Sequence, residues 1–262
     1  MNRTITDFLQ TYQVEVREVG RVEFPLMFPD GLPRLLILPG DNIQDMMELA
    51  ADGAASIRSY AEAQAGESAE RSGLDALRSI AADRLDRQDS PEDSPGFEEF
   101  DLRDLYRAYA GQWEPGIGLL DDRMPAEESS GDDGFDSSAG MPNAEWVERY
   151  AQDGLLLLAL PASELWNAPL IVPMGGYNDC PQPIEQAILF RDWYERYEAV
   201  PIAVTEDTWI LQAQILPRTD EEALDLAREH FIFCQYVLES FDSIGQYAAQ
   251  LKRGGIWEFW WD

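Results

Sequence analysis

Any fold open to this chain must accommodate 50 aspartates and glutamates against only 19 lysines and arginines, a formal net charge of −31 over 262 residues. Self-repulsion on that scale works against compaction and against approach to DNA, RNA or anionic lipid, so neither nucleic acid nor a membrane is expected as a partner. A basic protein is. The charge is not the property of one tail: residues 81–140 hold 17 acids and 5 arginines, a net of −12, which leaves −19 on the other 202. Such a chain folds only if it also carries enough apolar surface. Here 45% of residues are apolar, with eight Trp, ten Tyr and eleven Phe. Solvated acidic segments lack that aromatic content, so a core of ordinary size is expected, in one large or two small domains.

Two cysteines, Cys180 and Cys234, are too few for a disulfide framework and match no zinc spacing, which suits reduced thiols in a cytoplasm. Met1 to Gln13 has neither the basic nor the apolar region of a secretory signal, so a cytoplasmic protein is expected. The longest apolar run, Leu155 to Leu160, is far short of the roughly 20 residues of a spanning helix.

Composition divides the chain into a 1–82 N-terminal α/β region, an 83–143 acidic linker and insert with one short helix, and a 144–262 C-terminal α+β domain. In the first, Thr11 to Val19, Val22 to Leu26 and Arg34 to Leu38 look extended. A helix from Ile43 to about Ala61 follows an Asp41/Gln44 capping box, and further helices are expected over Leu74 to Leu85 and Leu102 to Ala110. In the last, Gly154 to Leu160 and Ala168 to Val172 are strand candidates. Pro181 and Pro183 open a helix over Ile184 to Tyr197, since proline needs no bonded amide in a first turn.

Val200 to Val204 and Trp209 to Ile215 then form a hairpin with one polar face. Thr219 and Glu222 cap a helix whose stripe of Ala223, Leu224, Ala227, Phe231, Cys234 and Leu238 continues at spacings of three and four. Ser243 with Gln246 opens a short helix, Gly254 and Gly255 end it, and Ile256 to Trp261 is a terminal strand. That order predicts a ferredoxin-like (split βαβ) antiparallel sheet with its helices on one face. Trp257, Phe259 and Trp261 would lie in the core and Trp260 on the other side.

Gly175-Gly176-Tyr177-Asn178-Asp179-Cys180-Pro181, the Trp193 to Tyr197 helix end, Thr219 to His230 and the closing Ile256 to Asp262 together resemble the bacterial DUF4253 family, over about the last 110 residues. The resemblance implies a domain and no particular reaction.

The candidate binding residues are those of the loop, Gly175, Gly176, Tyr177, Asn178, Asp179 and Cys180, together with Trp193, His230, Trp260 and Asp262. The glycines permit positive φ, and Asn and Asp bond back to the main chain, so the loop reads first as a tight strand-to-helix connection. Its functional reading rests on Cys180 preceding a helix N-terminus, where a thiol pKa falls, with His230, the only histidine, as base. Trp260 is the candidate partner anchor. No motif for a cofactor is present, the acidic pairs lack the alternation of a calcium loop, and no residue is assigned as catalytic or metal-binding. The expected function is a non-enzymatic acidic binding protein, such as an immunity or inhibitor protein covering the cationic cleft of a nuclease toxin. The alternatives are a small hydrolase or transferase built on the Gly175–Cys180 loop, and an oligomeric scaffold module.

Overall fold

The computed structural model describes residues 9, 16–19, 34–38, 43, 63, 66, 70–86, 96–112, 120–125, 154–160, 162–172, 174–175 and 179–261. The expected strand over Val22 to Leu26 lies outside the described residues, as does nearly all of the expected helix after Ile43. The elements in chain order are β1 (Val16–Val19), β2 (Arg34–Ile37), α1 (Gly73–Asp86), α2 (Leu102–Ala110), β3 (Leu155–Ala159), a 3-10 turn at Ala162–Asn167, and α3 (Ala168–Ile171). Then come α4 (Pro183–Tyr197), β4 (Val200–Val204), β5 (Thr208–Gln212), α5 (Asp220–Phe233), a 3-10 turn at Gln235–Leu238, α6 (Ile244–Leu251) and β6 (Ile256–Trp260).

The strands form one six-stranded mixed sheet in the order β1-β3-β2-β4-β5-β6. The mixed α+β class holds, but the ferredoxin-like arrangement does not. Ala168–Ile171, expected as the first strand, is a helix entered from the 3-10 turn, with Pro169 in its first turn. Four buried apolar residues carry no period that separates strand from helix. β6, which that topology would place at the far side of this first strand, instead pairs antiparallel with β5. The sheet is also not wholly antiparallel, because β2 and β4 run parallel, Leu36 opposite Ala203 and Ile37 opposite Val204.

One face holds the main core. Leu35, Ile37, Leu156, Leu158, Val204, Trp209, Leu211, Trp257 and Phe259 point into it, and α1, α2, α4, α5 and α6 cover it. Trp193 of α4 lies at its centre, stacked on Phe259 at 5.4 Å and edge-on to Phe233 and Trp257 at 5.2 and 5.9 Å. Trp257, Phe259 and Trp261 are buried as the alternation predicts, and Trp260 faces the other way. The expected polar face of the β4–β5 hairpin is absent: Ile202, Ile210 and Thr208 are buried, and a second cluster on that side joins Leu36, Leu38, Leu155 and Leu157 to Ile202 and Ile210. Both faces of the central strands are therefore apolar, the pattern of strands buried on two sides.

The helix caps follow the sequence. Thr219 Oγ1 accepts from the Glu222 amide at 3.1 Å, Ser243 Oγ from Gln246 at 3.2 Å, and Asp101 Oδ1 from Asp104 at 2.9 Å. One end does not. α5 stops at Phe233, Cys234 is extended, and Gln235–Leu238 is a separate 3-10 turn, so the stripe through Leu238 is not one helix. Arg84 of α1 takes the carbonyls of Ile232 and Phe233 at 2.6 and 2.8 Å, satisfying the end of α5 from outside.

Candidate functional site

The loop before α4 is held by Gln186, a buried side chain one turn into the helix. Its Nε2 donates to the carbonyls of Met174 and Pro181 at 3.0 and 2.8 Å and lies 3.6 Å from Cys180 Sγ. Its Oε1 accepts from the Trp209 indole at 2.7 Å. Gly175 has φ 143°, a backbone that favours glycine, and a Cβ there would also sit tightly, 3.3 Å from Cys180 Sγ. Asp179 offers its carbonyl to Arg84 and its Oδ2 to Gln235 Nε2 at 3.2 Å. Gly176, Tyr177 and Asn178 lie outside the described residues, as does Asp262. The described part of the loop is a connection with its polar groups satisfied.

Its cysteine is not placed as a nucleophile. Cys180 is buried, and burial pushes its thiol well above the usual range, the reverse of what a helix N-terminus was expected to do for it. Cys234 is also buried, pushed up to about 12, and its Sγ donates to the Trp260 carbonyl at 3.0 Å. His230 is fully buried, and no hydrogen bond joins it to Cys180. Its Nδ1 is 2.8 Å from the Tyr247 hydroxyl, and Trp193, Trp257 and Phe259 surround the ring at 4.7 to 4.9 Å. Trp193 itself donates to Glu229 Oε2 at 2.9 Å, and Glu229 pairs with Arg196. Trp193 and His230 are thus core residues.

Burial drives the His230 imidazole well below its ordinary 6.5, and the Arg196 cation acts in the same direction. The unfolded chain takes up a proton near pH 6.5 that the native ring refuses, so this residue makes stability fall as pH drops below about 6.5, by up to about 1.4 kcal/mol per pH unit. Glu185 and Glu229 act with the opposite sign, since burial raises their carboxyls above 4.5 and the native state holds their protons longer. The difference between wild type and His230→Phe isolates the histidine. In urea unfolding at pH 7.0, 6.0 and 5.5, the variant is expected to lose less stability on acidification; identical slopes would show that the ring is protonated in the native state.

Trp260 stands at a different kind of place. β6 ends the sheet among the described strands. A groove of about 280 Å³ runs along it, lined by Tyr236 and Phe241 from the segment after α5, Tyr247 and Gln250 of α6, and Trp257 and Trp260 of β6. Trp260 is half-buried, edge-on to Tyr236 at 5.2 Å, with its indole donating to Asp207 Oδ2 at 3.3 Å. Glu239 and Glu258, both exposed, border the groove. Among the described residues neither these two nor Asp207 pairs with an arginine or lysine, whereas arginine–carboxylate pairs are made at Asp75, Asp122, Asp192, Glu221, Asp225 and Glu229. Partial desolvation against the groove wall, and then the nearby Asp207 charge, raise the Glu258 carboxyl above 4.5 although the residue is exposed.

Of the residues that line the groove, sequence reasoning singled out Trp260 and not Glu258, Glu239 or Gln250. The signal for Glu258 was available, since it shares Trp260's strand face at a spacing of two. Glu239 and Gln250 reach the groove from separate elements and had none. Among the described residues no group of His, Cys, Asp and Glu is arranged to hold a metal ion, and no helix is long and apolar enough to cross a membrane.

Comparison with curated proteins and with solved structures finds no match. The family model of DUF4253, a domain of unknown function, matches residues 156–262, the span over which the loop, the α4 end, α5 and β6 carry the resemblance. It takes in β3 to β6 and leaves out β1, β2, α1 and α2. Over residues 156–262 the chain is similar to the DUF4253 family, a domain of unknown function.

Proposed function

We propose that this protein is a non-enzymatic binding protein that engages a basic partner through its acidic exterior. The observation that carries this reading is the set of carboxylates around Trp260, with Glu239 and Glu258 on the groove and Asp207 in the β4–β5 turn bonded to the indole, which have no cationic partner among the described residues. With 50 acids to 19 bases, a net charge of −31 is left uncompensated by the chain's own lysines and arginines. Complementary potentials of that size speed association steeply at low salt. An immunity or inhibitor protein is the form that suits them, because carboxylates set along a surface occupy the places that phosphates take in the cationic cleft of a nuclease. The unpaired thiols Cys180 and Cys234 suit action in a cytoplasm.

The hydrolase or transferase alternative finds no support in the surroundings of Cys180, which is buried, bonded to an amide and unactivated. The experiment is affinity capture of partners from the native cell with the tagged full chain at 50 and 500 mM NaCl, followed by titration calorimetry with whatever is recovered. A basic protein that binds saturably at low salt and is released at high salt is the expected result. Recovery of no basic protein at low salt would sink the reading.

A further inference from the structure

We propose that the outer edge of β6, which pairs with no other strand among the described residues, receives an extended, lysine- or arginine-bearing segment of a partner protein as an added strand at Ile256 and Glu258, with a basic side chain entering the groove beside Trp260. The inference rests on the reading of the protein as a binder of basic partners and names the surface that does it.

The edge is defined by two bonds. The Ala213 amide donates to Gly255 O at 2.7 Å and the Trp261 amide to Asp207 O at 3.1 Å. In an antiparallel ladder the residues that bond to the neighbour alternate, so Gly255, Trp257, Phe259 and Trp261 turn their peptide groups toward β5. Ile256, Glu258 and Trp260 turn theirs outward. The Trp260 carbonyl is taken by Cys234 Sγ. Among the described residues nothing takes the outward amides and carbonyls of Ile256 and Glu258, which is the template on which an incoming strand pairs.

The groove beside this edge has its own unmet demand. The Trp257 indole N–H, on a side chain 1% exposed, and the Gln250 Oε1 both lack a partner among the described residues. An unpaired buried polar group costs about 1–3 kcal/mol, and both side chains belong to the wall of the groove. At about 280 Å³ the groove is at the lower end of small-molecule sites, which start at roughly 300 Å³, and suits a side chain better than a cofactor.

Charge selects the occupant. Glu258 lies midway along the edge, Glu239 on the groove's rim and Asp207 behind Trp260. Two copies pairing edge to edge would set Glu258 of one against the like charges of the other, on bodies that each carry −31, so self-association by this route is opposed. A lysine or arginine opposite Glu258 meets an unpaired carboxylate and the face of an indole together.

The test uses the full chain and a fluorescein-labelled peptide of five lysines alternating with four valines, against a copy N-methylated at every backbone amide, by fluorescence anisotropy in 50 and 500 mM NaCl. The unmethylated peptide is expected to bind at least tenfold more tightly. Ile256→Pro removes only an outward amide at the first position of an edge strand, where proline is tolerated, and is expected to weaken the unmethylated peptide tenfold while leaving the methylated one unchanged. Glu258→Lys, an exposed substitution, is expected to weaken both. Equal binding of the two peptides, unaffected by Ile256→Pro and lost at high salt, overturns the strand pairing and leaves the acidic-surface function standing. No salt-sensitive binding of either peptide overturns the strand pairing and counts against that function as well.

Discussion

Residues 144–262 expressed without the preceding chain are expected not to reach the native state. The stretch looks self-sufficient by composition, and the family match covers most of it. Its sheet does not. β3 and β4, which would be neighbours in a sheet made from this stretch alone, are separated by β2, antiparallel to β3 from Arg34↔Ala159 to Ile37↔Leu156 and parallel to β4. Without β2 both strands have open edges in the middle of the sheet, and Leu157, Ile202 and Val204 lose their neighbours. Leu35, Leu36, Ile37 and Leu38 are each wholly buried, and burying a Leu or Ile side chain stabilises by about 1.5–3 kcal/mol. Four such residues contribute on the order of 6–12 kcal/mol, comparable with the whole stability of an ordinary domain at about 5–15 kcal/mol. α1 and α2, which cover α4 and α5, go with them. The fragment should lack the near-ultraviolet dichroism of the full chain, bind a hydrophobic dye and run as aggregates in gel filtration. A cooperative urea transition with native-like near-ultraviolet signal would overturn the expectation.

That dependence marks where sequence stops being legible. Elements fixed by neighbours in the chain could be read: Thr219 and Ser243 announce their helices, Pro183 opens α4, and Trp257-Glu258-Phe259-Trp260 alternates as a strand with one face in the core. Features fixed from a distance could not. β4 carries nothing that names β2 as its neighbour, because parallel partners are set by the chain path between them, here more than 160 residues. The buried Ile210 looked like part of a polar face because Gln212 and Gln214 share its parity, while its burial comes from the second cluster. The groove was half legible. Trp260 stood out as an aromatic on the wrong side of its strand, but Glu258 on the same face was passed over, and a cavity made by α6, the turn after α5 and a sheet edge exists only once those three meet.

The end of α5 is the clearest instance of remote control, and it carries the second large prediction. The apolar stripe runs on past Phe233 but the helix does not, and Arg84, from a helix far earlier in the chain, takes the carbonyls at its end. Its guanidinium is 5% exposed and donates to Ile232 O, Phe233 O, the Tyr109 hydroxyl at 2.7 Å and the Asp179 carbonyl, with the Tyr109 ring 5.6 Å beneath it. The position suits a cation, since the last carbonyls of a helix carry the negative end of its dipole. One side chain thus ties α1, α2, the end of α5 and the loop before α4 together. Arg84→Met keeps much of the volume and removes every donor. Three buried carbonyls and a phenol then lose a charged partner, at about 1.5–3 kcal/mol for each such bond and with only partial relaxation, so a loss on the order of 4 kcal/mol is expected. Arg84→Lys restores the charge but gathers its donors on one nitrogen, which cannot reach the carbonyls of α5 and of the loop and the Tyr109 hydroxyl of α2 at once, and is expected to recover less than half. Urea denaturation reads both as a fall in midpoint at unchanged m, and hydrogen exchange should show the last turn of α5 losing protection first. A methionine variant within about 1 kcal/mol of wild type, or a lysine variant equal to it, would mean that these carbonyls are satisfied by other groups and that the helix ends at Phe233 for a reason of its own.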